Sequence, residues 1–257
     1  MKTHPWPTVS ALILAALIDF IVGDPWGWPH PVQAMGGLIS RYCQLFIRRD
    51  LPPLVMKIAG IGLTLLLVVG TAALSAWSLT WLNTISPLLA WLLSVVWLAS
   101  CFAGRSLRRA AEEVLDILNQ PEQDLQAARN QLAMYVGRDT QLLSRREIRR
   151  AVLETVSENA VDGVLAPLFY ALVGGLFGLA APVALAYKAA STLDSIVGYR
   201  DAPYTDLGWC SAQFEDGLTW LPCRLSVLPI AMLSGRPSSV LRLCWRDARA
   251  APSPNAG

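Results

Sequence analysis

Between Ser144 and Arg200 the chain sets Glu154, Glu158, Asn159 and Asp162 just before a Gly-interrupted apolar segment, and Lys188, Asp194, Tyr199 and Arg200 just after it. Ionisable groups at the mouth of a hydrophobic segment are costly to desolvate, and they usually have an assignment. Arg150, Glu154, Glu158 and Asp162 recur at four-residue spacing and form one row on a helix. Such a row suits a hard divalent cation, which takes one or two carboxylates. It also reads as a solvated face paired with Arg150 and Arg146, since charge pairs at this spacing are common. Lys188 and Arg200 suit phosphate or carboxylate oxygens, or anchor at a membrane interface. Asp194 either orients an amine or a second ion, or caps a helix. Asn159 and Tyr199 are hydrogen-bond donors. Near the amino terminus, Asp24 and a His30 held between Pro29 and Pro31 add a second polar cluster. There His30 is an acid–base group, a phosphate contact or a structural residue in a rigid turn.

The elements that position these residues belong to a membrane. Of 257 residues 54% are hydrophobic and only 16% charged, against roughly a quarter charged in soluble domains. The charges are clustered, with long uncharged runs between them. An all-α, polytopic membrane protein follows, with about four to six membrane segments, some of them re-entrant, and a cytoplasmic helical loop. A net charge of +2 gives no ground for nucleic-acid binding. Five Cys without a C-x-x-C support neither a disulfide framework nor a zinc site.

Val9 to Gly23 reads as a retained first helix with Asp19 near its exit end. Pro25, Pro29 and Pro31, with the glycines up to Gly37, forbid a long helix and predict an ordered loop at the membrane interface. Leu54–Trp77 and Leu79–Phe102 are each long enough to span and predict a tight hairpin, with Pro87 as a tolerated kink. The stretch 104–150 carries nine Arg against seven acidic residues and two helical patterns, which places it in the cytoplasm as an insertion within a single membrane domain. Ser144-Arg-Arg-Glu147 is a capping box that starts a helix to about Asp162, with Ile148, Val152 and Val156 as its apolar stripe and Gly163 as its stop. Gly174-Gly175 then divides the apolar run in two. Either one kinked span results, or two half-length pieces that enter and return on one side; the second is favoured, because it brings Lys188, Asp194 and Arg200 back beside Glu154 and Glu158. Leu218 to Leu233 holds Pro222, Arg224 and Pro229 and reads as either a crossing or an interfacial segment, with Asp216 and Arg224 as structural partners at a membrane edge.

GDPWGWPHPV, SRREIRRAVLETVSENAVDGVLAPLFYALVGG, LAYKAASTLDSIVGYRD, YTDLGWCSAQFEDGLTWLPCRL and the terminal SPNAG, in that order, resemble the adenosylcobinamide-phosphate synthase family of cobalamin biosynthesis. The resemblance implies a multi-pass protein of the bacterial inner membrane that joins aminopropanol, free or as its phosphate, to a propionate carboxylate of adenosylcobyric acid. It further implies ATP, Mg²⁺ and an adenosylated corrinoid. The lipid bilayer is its surroundings, and other membrane enzymes of late cobalamin assembly are candidate partners. Under it His30, Glu154, Glu158 and Asp194 are catalytic candidates, with His30 for proton transfer. Asp24, Asn159, Lys188, Tyr199 and Arg200 contact substrate or phosphate, and Glu154, Glu158 and Asp162 hold the metal. Ser191 stands where the family usually has Asn, and family members generally continue past SPNAG, so a carboxyl-terminal segment is expected to be missing. No G-x-x-x-x-G-K-[ST] or G-x-G-x-x-G is present, so no nucleotide loop can be pointed to. The competing readings are a non-catalytic membrane sensor of the same fold and a small transporter; the latter predicts an internal repeat, and none is visible.

Overall fold

The computed structural model describes residues 6–23, 30–49, 51–120, 124–137 and 139–247, and among these every regular element is helical. In order they are α1 (Trp6–Ile21), α2 (Pro31–Ile47), α3 (Pro53–Ile85), α4 (Pro87–Ala99), α5 (Gly104–Asn119), α6 (Leu125–Ala133), α7 (Arg145–Ala160), a π-helical turn (Val161–Leu165), α8 (Ala166–Gly175), α9 (Ala180–Val197), α10 (Trp209–Leu233) and α11 (Pro237–Asp247). Three stretches, Pro53–Ile85, Pro87–Asn119 and Arg145–Gly175, are long and apolar enough to cross a membrane. Around them large side chains such as Leu65, Trp77, Leu88 and Leu172 lie exposed. Exposed apolar surface on that scale belongs against lipid.

Proline sets several helix starts. Pro31, Pro53, Pro87 and Pro237 each begin a helix, where the missing N–H is no loss and the fixed φ is already helical. This corrects two expectations. The hairpin between the first two long helices turns at Ser86, whose side chain caps α4, so Pro87 opens a helix and kinks none. The glycines at 36 and 37 lie inside α2, which starts at once after His30.

Two cores form. The larger gathers α1–α4, α8 and α9, with α9 at its centre: Leu63, Leu98, Ala184, Leu193 and Val197 are fully enclosed. The smaller unites α5, α6 and the first half of α7 around Val114, Leu132, Ile148 and Val152. The capping box is present, with Ser144 N–H donating to Glu147 Oε2 at 2.7 Å.

Gly163 does not stop the helix. Instead α7 runs through the π turn into α8, and Pro167 has no N–H to offer the Gly163 carbonyl four residues back. That oxygen accepts from Ala103 N at 2.8 Å, tying the entry of α5 to the turn. Asp19 completes the junction, its Oδ2 accepting from Gly104 N at 3.0 Å at the start of α5. After Gly175 the chain reverses through Gly178 (φ 73°), and α9 packs back along α8. The apolar run is therefore a helical hairpin, and the two polar strips flanking it return to one end of the molecule.

Candidate functional site

At that end a cavity of about 260 Å³ opens between α2, the entry of α5, the π turn, α9 and α10. Its polar lining is Asn159 and Asp162 from before the hairpin, Lys188, Ser191, Thr192, Asp194 and Ser195 from after it, and Glu215 from α10. Val32, Ala103 and Leu107 close the apolar side. The π turn matters here: one extra residue in the helix re-aims the side chains that follow, a device common at functional sites.

Of the candidate site residues, Asn159, Asp162, Lys188 and Asp194 meet in this cavity, whereas the described residues His30, Glu154, Glu158, Tyr199 and Arg200 do not line it. Glu154 faces outward and accepts from Arg150 Nε at 2.7 Å, with both side chains well exposed. Glu158 is exposed on the same helix. Tyr199 and Arg200 lie just past α9 on the surface, where the Tyr199 ring stands 6.2 Å from that of Tyr204. His30 caps α2, its Nδ1 accepting at 3.3 Å from the N–H of Val32, the cavity-wall residue two positions on. Asp24 lies outside the described residues. Arg224 stacks on Trp220 at 3.9 Å, while Asp216 lies within reach of the Arg200 charge.

Glu215 was not among the candidate residues read from the sequence, and the structure makes it the most enclosed carboxylate of the cavity, 6% exposed. Its Oε1 accepts from Thr219 Oγ1 and from Tyr187 OH at 3.4 Å, and the two hydroxyls lie 3.3 Å apart. Tyr187 is itself 2% exposed and stacks on Tyr170, ring centroids 5.0 Å apart. Tyr170 OH in turn donates to Leu218 O at 2.9 Å. That carbonyl is free to accept because Pro222, four residues on, has no N–H. The one signal for Glu215 in the sequence was an acid four residues before a Thr on a helix with two internal prolines.

Asp194 and Glu215 lie outside the three candidate spans. Burial pushes the Asp194 carboxyl up to about 6, and the Asp216 charge adds to it. Burial pushes Glu215 up to about 7; the Thr219 hydrogen bond opposes this, and Asp162, Asp194 and Asp216 reinforce it. Asp194 Oδ1 is shielded from solvent and has no hydrogen-bond partner. Among the described residues no three His, Cys, Asp or Glu side chains cluster as a metal cage. A cation here would take one or two carboxylates and fill its shell from phosphate oxygens and water, which is how Mg²⁺ is usually bound. Asp162 and Asp194 supply hard oxygen donors of that kind.

Comparison with known proteins follows the same line. The family model described as CobD/Cbib protein matches residues 12–257. A protein named cobalamin biosynthesis protein CobD from Synechocystis is 49% identical over 257 residues, covering 98% of this chain and 74% of the relative. Another of that name from Photorhabdus laumondii is 43% identical, covering 97% and 77%. Cobalamin biosynthesis protein CbiB of Salmonella typhi is 43% identical over 254 residues, covering 96% and 77%. No solved structure matches.

Proposed function

The chain belongs to the CobD/Cbib family, and from that premise and the donor set of the cavity we propose that it is a membrane-bound amide ligase of cobalamin biosynthesis. It joins aminopropanol, free or as its phosphate, to a propionate carboxylate of adenosylcobyric acid, with ATP as the activating co-substrate. The observation that carries this reading is the meeting of Asp162, Asp194, Glu215 and Lys188 in one cavity, at the polar end of a bundle whose flanks are apolar.

An amide does not form from a carboxylate and an ammonium in water unless the carboxylate is first activated, and phosphoryl transfer does this through an acyl phosphate. The protein's part is placement and charge. Lys188, a flexible point charge, meets phosphate oxygens at the cavity wall. Asp162 and Asp194 would hold Mg²⁺, which would supply positive charge against the phosphate oxygens. Ser191, Thr192 and Ser195 line the same helix face and offer hydroxyls to the corrinoid's amide and carboxylate periphery. Val32, Ala103 and Leu107 exclude water from the acyl phosphate, which would otherwise hydrolyse. The cavity opens to the cytoplasmic face of the cell membrane, on the side of the Arg-rich helices α5 to α7.

The test is reconstitution. Purified protein in detergent, given adenosylcobyric acid, aminopropanol phosphate, ATP and Mg²⁺, forms the amide and releases ADP and phosphate. Lys188→Ala loses this turnover by about 10²-fold or more, while Glu154→Gln, at an exposed pair worth about 0.5 kcal/mol or less, keeps it. Absence of product with the wild-type chain overturns the ligase reading.

A further inference from the structure

The ligase reading requires a group that accepts a proton from the incoming amine, and none of the residues placed so far does this. His30 has its Nδ1 turned to the Val32 N–H as the cap of α2 and does not line the cavity. Lys188 carries the wrong charge. Asp162 and Asp194 face the cation and the phosphate.

Glu215 has the position and the support. It reaches the cavity from α10, the wall contributed by neither half of the hairpin, and it is 6% exposed. Its Oε1 is held by two neutral hydroxyls, Thr219 and Tyr187, and among the described residues no Lys or Arg forms an ion pair with it. A carboxylate so placed attracts a positive charge strongly, because no directly paired cation has already neutralised it. The Tyr187 hydroxyl is fixed in turn by the ring of Tyr170, which is tied to the Leu218 carbonyl. Fixing the carboxylate through two shells keeps it in one orientation as substrate enters.

We infer that Glu215 is a catalytic residue that seats the ammonium of the amino-alcohol acceptor and takes its proton. The inference rests on the ligase reading and deepens it. The ammonium gives one proton to the Glu215 carboxylate and becomes a neutral amine. The amine lone pair then forms the C–N bond at the acyl phosphate carbon. The C–O bond to phosphate breaks, and phosphate leaves with that electron pair and the second nitrogen proton, as hydrogen phosphate. Glu215 afterwards releases its proton to solvent. Thr219 and Tyr187 are positioning residues in this scheme.

The decisive probe replaces the amine with hydroxylamine, which is uncharged at neutral pH and intercepts an acyl phosphate as a hydroxamate without needing a base. Full-length Glu215→Gln in detergent, with adenosylcobyric acid, ATP and Mg²⁺, is expected to make hydroxamate at the wild-type rate. With aminopropanol phosphate it is expected to lose about 10²-fold or more in kcat, the usual worth of a general base. Should Glu215→Gln not fold, Thr219→Val keeps the carboxylate and removes one of its holders; it is expected to slow amide formation alone. If a folded Glu215→Gln makes both products, or neither, Glu215 is not the amine's proton acceptor. If the wild type makes neither product, the ligase reading itself fails.

Discussion

A carboxylate hidden from water and given no hydrogen bond works against the fold that hides it, and Asp194 is in that state at its Oδ1. Its carboxyl is moved by burial from 3.8 to about 6. Between those two pH values the unfolded chain has released its proton while the folded chain still keeps one. Stability is therefore present below about pH 4 and lost as pH rises toward 6, with no further loss above. Asp194→Asn removes the titration. In detergent the variant is expected to melt at a higher temperature than the wild type at pH 7, with the gap closing toward pH 4, while amide formation is lost. Stability gained together with activity lost is the mark of a residue kept for function. A variant that melts lower at pH 7 would make Asp194 a structural partner. Glu154 shows the contrary case. Its position in a four-residue row was plain in the sequence, yet that spacing only places side chains on one stripe and does not say which stripe faces a cavity. In the fold Glu154 turns to Arg150 in solvent.

At the scale of elements, the site depends on α8 and α9 lying close enough to bring both polar strips to one end. Gly174 permits it: a Cβ there would stand 2.6 Å from the Leu179 carbonyl oxygen and 2.7 Å from Val183 Cβ. Backbone cannot yield as a flexible side chain would. Gly174→Ala is expected to destabilise the protein by about 1–3 kcal/mol in detergent unfolding and to weaken ligand binding at the cavity. At Gly37 a Cβ would meet nothing within 4 Å. There the helical preference for Ala decides, and Gly37→Ala is expected to be neutral or stabilising by up to about 1 kcal/mol. Equal effects at the two positions would show that the hairpin does not depend on this approach. Pro167 and Pro222 teach a related lesson. In the fold each frees a carbonyl, at Gly163 and Leu218, which a distant Ala103 N–H and Tyr170 hydroxyl then use.

For the whole molecule the hairpin makes a claim about sidedness. Asn159 and Ser195, exposed at the two ends of the fold-back, must lie on one side of the membrane. With the five native cysteines replaced, single cysteines at positions 159 and 195 are expected to react with a membrane-impermeant maleimide from the same side. Labelling from opposite sides would undo both the hairpin and the cavity. Fold class was legible in composition and apolar run length, because burying about 20 apolar residues against lipid depends on local sequence alone. The Ser144–Glu147 capping box was legible for the same reason, since its partners are three residues apart. The exact turn at Ser86 was not: both halves of that hairpin are apolar throughout, so hydropathy shows no boundary between them. Nor was Glu215. Its partner Tyr187 is 28 residues away, and a short-range pattern cannot report a contact made by packing α10 against α9. The amino-acid sequence by itself determined an all-α membrane protein and a set of chemically competent residues on either side of an apolar run. Only the tertiary structure decided which of them share a cavity, because that depends on how closely two helix backbones approach at Gly174 and on which face α9 turns to α10.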